Sequence, residues 1–94
     1  MQRASREQRL RERLQAAFSP QELTIIDDSL RHAGHAGAAG GLGHFRVVIV
    51  AAAFRGLPPL ARHRKVYAAV GDMLETDIHA LNVEARAPTE RAPR

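Results

Sequence analysis

The stretch HFRVVIVAAAF, residues 44–54, decides the fold. Phe45, Val47, Ile49 and Ala51 alternate onto one face of an extended chain, and Val48, Val50 and Ala52 take the other. A period of two marks a strand. A strand that is apolar on both faces through its middle is covered on both sides, so it is expected at the centre of a sheet. Gly56, Pro58 and Pro59 break it.

Upstream, Leu23-Thr24-Ile25-Ile26 is β-branched and apolar, and Asp27-Asp28-Ser29 closes it, so a second, short strand is expected there. Between the two strands, Leu30–Gly43 holds five of the seven glycines. That is a flexible loop, longer than a hairpin turn, and loops of this length in small domains are functional or disordered. Further upstream, Ser5-Arg6-Glu7-Gln8 reads as a capping box with Ser5 as N-cap and Gln8 reaching back. Leu10, Leu14, Ala17 and Phe18 follow on one apolar stripe, and Ser19-Pro20 ends a helix expected over Ser5–Ala17.

Downstream, Leu60, His63, Tyr67, Val70 and Leu74 step by three and four, with Val66 and Met73 widening the stripe. This predicts one helix over Pro59–Glu75 with that stripe buried, His63 packed among its apolar neighbours, and Gly71 weakening the last turn. Ile78–Ala85 alternates as a third strand, and Pro88 stops it. Residues 1–88 then form one domain, and 89–94 a disordered tail.

The order is α-β-β-α-α-β, where Pro58 and Pro59 leave room for a short turn before the long helix. Sequential strands pair antiparallel, and a helical connection returns the third strand parallel to the second. The expected fold class is α+β, a three-stranded mixed sheet with helices on one face.

Composition narrows function. At 94 residues the chain has room for one core and no second domain. It has no cysteine, so it has no disulfide, no thiolate zinc site, and no iron–sulfur cluster held by its own thiolates. The lack of cysteine is compatible with a reducing, cytosolic compartment, and thirteen arginines against one lysine are the codon bias of a GC-rich bacterial genome, so a bacterial cytoplasm is the expectation. The longest apolar run, Val47–Phe54, is far short of the roughly 20 residues of a membrane span. The opening arginines have no apolar stretch behind them and do not read as a secretory signal. Five arginines and two glutamates within the first thirteen residues supply most of the net charge of +4, as a solvated helix face.

Enzyme signatures are missing. Asp27 and Asp28 are neighbours on a strand and point to opposite faces, which prevents a shared proton or metal. No glycine-rich loop runs into Lys-Ser/Thr, and no nucleophile elbow is present. A non-catalytic protein is expected.

Three segments carry a family resemblance. FRGLPPLARHRKVY at 54–67 has the form F-x-G-x-x-x-L-x-R-H-R-x-V-Y, IHAL follows at 78–81, and FSPQELTIIDDSLRHAGHAG opens at 18–37. Over about Leu10–Pro88 the chain resembles BolA-like proteins. The resemblance implies a class II KH-like fold, in agreement with the element order. It also implies pairing with a monothiol glutaredoxin around a shared [2Fe–2S] cluster, in cluster trafficking and iron homeostasis. Some members are described as DNA-binding regulators of cell shape and stress responses. A true KH module clamps nucleic acid through a GxxG loop, and here the turn is Gly56-Leu57-Pro58-Pro59.

Histidine is the one side chain in this sequence suited to iron in such a cluster, with the partner's cysteine and glutathione supplying thiolates. By the resemblance His79, in IHAL, is a cluster ligand, and a second ligand comes from the glycine loop, His32 or His35. Protonated histidine cannot ligate, so acid would loosen the cluster. His44 is expected to close the base of the loop as a structural residue. Arg62, Arg64 and Lys65 form the densest basic cluster. Arg62 and Lys65 share a helix face and Arg64 points away. The cluster suits phosphate contact on DNA or an acidic partner surface, and Tyr67, expected on the buried stripe, provides no stacking platform. Self-association is expected at most as a weak homodimer.

Overall fold

The computed structural model describes residues 5–28 and 43–90. Helix α1 spans Arg6–Phe18. The Ser5 hydroxyl accepts from the Gln8 N–H at 3.1 Å. The Gln8 side chain does not reach back but donates to Glu12 one turn on, so only half of the expected capping box closes. Ser19 ends the helix in the left-handed region at φ 44°, not in the extended conformation a following proline favours, and its N–H donates to Gln15 O at 3.0 Å.

Strand β1 spans Glu22–Asp27, β2 spans Gly43–Val50 and β3 spans Ile78–Arg86. β1 pairs antiparallel with β2, and β3 pairs parallel with it, so β2 is the central strand. The α+β architecture read from the sequence holds. Cross-strand rows Leu23–Ile49–Ala85 and Ile25–Val47–Val83 face the helices. Leu10 and Leu14 of α1 are fully buried in the same cluster as Val47, Ile49 and Val83, whereas Ala17, expected on the stripe, is exposed.

Three expectations about the central strand and the long helix need correction. The central strand stops at Val50, and Ala52–Phe54 forms a 3-10 turn. Ala51 N–H donates to Arg86 at 3.0 Å, after which the turn drops Phe54 fully into the core against the Phe18 ring, centroids 5.0 Å apart. Second, the long helix is two: α2 over Pro59–Val70 and α3 over Met73–Thr76. Gly71, at φ +63°, separates them and donates to Tyr67 O at 2.9 Å, so it is a helix terminator. Third, the buried stripe of α2 is narrower than the spacing suggested. Val66 and Val70 are buried, as is Met73 at the start of α3, while Leu60 is 62% exposed, Tyr67 is 39% exposed and His63 is exposed. α2 lies at the side of the sheet over β3, where the Tyr67 hydroxyl donates to Leu81 O at 3.1 Å. Only the inner part of its stripe reaches the core.

The arginines of α1 are not simply solvated. Arg9 pairs with Asp77, and Arg13 pairs with Asp72 at 2.8 Å while donating to Val70 O at 2.5 Å. Arg13 therefore brings positive charge to the C-terminus of α2, where free carbonyls favour a cation. Thr89 and Glu90 are not tail: they complete a turn in which Glu90 N–H donates to Ala87 O at 3.0 Å. Residues 91–94 and most of the glycine loop, 29–42, lie outside the described residues.

Candidate functional site

The site forms where β3 begins. Gly43 faces Ile78 and His44 faces Ala80, so one step on β2 matches two on β3. His79 is the additional residue, and an extra residue of this kind re-aims a side chain. Ile78 is fully buried while His79 and Ala80 are both exposed, a break in the alternation read from the sequence. The His79 ring meets that of His44, centroids 5.1 Å apart and planes at 48°. His44 is 9% exposed.

Backbone bonds close this end of the sheet. Asp28 N–H donates to His44 O at 2.7 Å, and Gly43 N–H donates to Asp77 O at 2.9 Å. His44 thus closes the base of the loop, as expected for a structural residue, and it also touches His79. Asp28 and Gly43, the described residues on either side of positions 29–42 in the sequence, are both held at this end of the sheet. His32 and His35 themselves lie outside the described residues. The Thr76 hydroxyl, donating to Asp77 at 2.8 Å, and then Arg9 hold the Asp77 carboxyl below its ordinary range, keeping a negative charge beneath the site. A cleft of about 420 Å³ opens beside His44, lined also by Asp28, Arg46 and Asn82.

The site brings together the His44 and His79 imidazoles beside the Asp28 and Asp77 carboxylates. Among the described residues no three His, Asp or Glu side chains gather as a metal site, and the sequence has no thiolate.

The structure separates the basic cluster. Arg62 is turned inward: its Nε donates to Leu57 O at 2.7 Å and its Nη1 to Ala85 O at 3.1 Å, while Glu90 takes both terminal nitrogens. Glu90 raises the Arg62 pKa, and the Arg62 hydrogen bond pulls the Glu90 carboxyl down to about 2. Arg62 is thus structural, a correction to its reading as a contact residue. Arg64 and Lys65 are exposed on α2. The sequence carried no signal for the Arg62–Glu90 pair, because the partners stand 28 positions apart.

The family model for BolA-like protein matches residues 14–90. The chain belongs to the BolA-like family. The BolA-like chain is 43% identical over 89 residues to the chloroplastic protein BOLA1 of Arabidopsis thaliana, covering 92% of this chain and 56% of that protein. It is 42% identical over 74 residues to the DNA-binding transcriptional regulator BolA of Escherichia coli, covering 79% of this chain and 68% of the regulator. The solved structure of BolA1 from Arabidopsis thaliana superposes with a TM-score of 0.81 at 37% identity, covering 96% of this chain and all of that one. The chain spans a little over half the length of the plant relative in its full form. No helix among the described residues is long and apolar enough to cross a membrane.

Proposed function

We propose that this BolA-like chain is a non-catalytic adaptor. It binds a monothiol glutaredoxin and adds a histidine nitrogen to a [2Fe–2S] cluster held between the two, in iron–sulfur cluster trafficking and iron homeostasis. The observation that carries this reading is His79, exposed on an irregular step of β3 with its ring against that of His44. The donor set fits a shared cluster. Imidazoles suit one iron, and the thiolates come from the partner's cysteine and from glutathione. His79 would hold the cluster together with His32 or His35. A cluster so bound would supply iron and sulfide for transfer, at a potential raised by nitrogen ligation. The chain's own work is to present the His79 ring and to offer Arg64 and Lys65 to an acidic partner surface.

The test is visible circular dichroism of the protein titrated into a cluster-loaded monothiol glutaredoxin with glutathione. The cluster spectrum changes with the native chain and stays that of the glutaredoxin with His79→Ala. An unchanged spectrum with the native chain overturns the reading.

A second reading is a DNA-binding regulator of cell morphology and stress response, favoured by the name of the Escherichia coli relative. Its contacts would come from Arg64 and Lys65, since Arg62 is engaged by Glu90. His79→Ala separates the two, because it abolishes the cluster effect and spares DNA binding.

A further inference from the structure

Two histidines meet at the start of β3, and they are not alike. His44 is nine-tenths buried, and its carbonyl is held by Asp28 N–H at 2.7 Å. His79 is exposed on the unmatched step opposite it. An exposed strand histidine has several rotamers open to it, and fixing one costs side-chain entropy on binding. The centroid separation of 5.1 Å lies in the range of favourable aromatic pairs. The step that brings the rings together is itself pinned. A Cβ on Gly43 would run into the buried Phe45 ring, so a larger residue there forces the ring or the strand to shift.

We infer that His44 is a positioning residue: its buried ring is the platform that holds the His79 imidazole in one orientation, ready to donate its nitrogen. The inference rests on the reading of His79 as a cluster ligand. It assigns His44 the work of the ring face and not of a ligand nitrogen. Removing the platform leaves His79 in place but unordered, and the entropy of ordering it falls on the cluster-binding step. Mixed-cluster formation then weakens about two- to tenfold, the scale of one aromatic pair.

The experiment uses His44→Ala and His44→Phe in the full chain, each checked for fold by far-ultraviolet circular dichroism. The His79 ring signals are followed by NMR in the free protein, and mixed-cluster formation by visible circular dichroism with cluster-loaded glutaredoxin and glutathione. His44→Ala moves the His79 signals to those of an unstacked histidine and weakens the titration. His44→Phe, which keeps a ring and removes the nitrogens, keeps His79 ring-shifted and restores the midpoint to within about twofold. Should His44→Ala fail to fold, His44→Phe alone decides. His79 signals unmoved in His44→Ala overturn the inference. So does a His44→Phe protein that loses the mixed spectrum as fully as His79→Ala, which would make His44 a ligand. If the native chain itself leaves the cluster spectrum unchanged, the adaptor reading fails and the platform loses its purpose. That failure is told apart by the ring signals of the free protein, which report the His44–His79 contact independently.

Discussion

Glu90 closes a two-pronged pair on Arg62, at 2.5 and 2.7 Å, from the turn that follows the last strand. The same guanidinium holds Leu57 O before α2 and Ala85 O in β3. One side chain thus ties the entry to α2, the end of the sheet and the C-terminal turn. Planar, forked donors make such a tie, which an ammonium cannot reproduce.

Glu90→Gln is therefore expected to lower the melting temperature at neutral pH, and Arg62→Lys to do the same. The Glu90 carboxyl is held at about 2 against an ordinary 4.5, chiefly by the Arg62 hydrogen bond. The folded state binds this proton less tightly than the unfolded state. The contribution is therefore complete above 4.5 and is lost as pH falls through about 2. Melting curves of the native chain and Glu90→Gln converge over that window. An offset that is the same at neutral pH and at pH about 2 would contradict the assignment.

Phe54 is fully buried against Phe18 at the turn that ends the central strand. Phe54→Ala should cost about 3–5 kcal/mol. A domain of this length has roughly 5–14 kcal/mol in all, so the variant retains little margin. Urea denaturation measures it, and a loss below about 1 kcal/mol would mean the site collapses around the missing ring.

Gly43 and Gly71 are required for different reasons, and their alanine variants should differ accordingly. Gly71→Ala places a side chain at φ +63° and 3.1 Å from the Arg13 guanidinium, at a cost of about 1–3 kcal/mol, away from the two histidines. Gly43→Ala drives a Cβ into the Phe45 ring, costs about 1–3 kcal/mol, and also shifts the NMR signals of His44 and His79. Equal perturbation of the histidine signals by both variants would break the link between Gly43 and the step at His79.

If the chain binds DNA, Arg64 and Lys65 carry the phosphate contacts. Their joint change to alanine should weaken binding and reduce the salt slope by about 1.8, the value for two lost phosphate contacts. Arg62→Ala should act mainly by destabilising the fold. Fluorescence anisotropy on a labelled duplex over a salt series checks this, and an unchanged slope in the double variant removes these residues from the interface.

The sequence by itself determined the first helix, the order of the three strands with a helical connection before the last, the central position of β2, the antiparallel and parallel pairings, and the Ser5 cap; the split of the long helix at Gly71 it did not show. These follow from periodicity and short-range chemistry, which act within a few residues. The family motif around Phe54–Tyr67 and IHAL likewise pointed to His79. Tertiary structure decided the rest. Which part of the Leu60–Leu74 stripe is buried depends on where α2 lies over the sheet, so Tyr67 and His63 read as core and are exposed. Arg9, Arg13 and Arg62 read as solvent-facing charge because their partners Asp77, Asp72 and Glu90 are distant in the chain. The meeting of His44 and His79 depends on a one-residue slip between parallel strands. Such a slip arises only when β3 is laid beside β2, since no local preference in either strand encodes the register of the other.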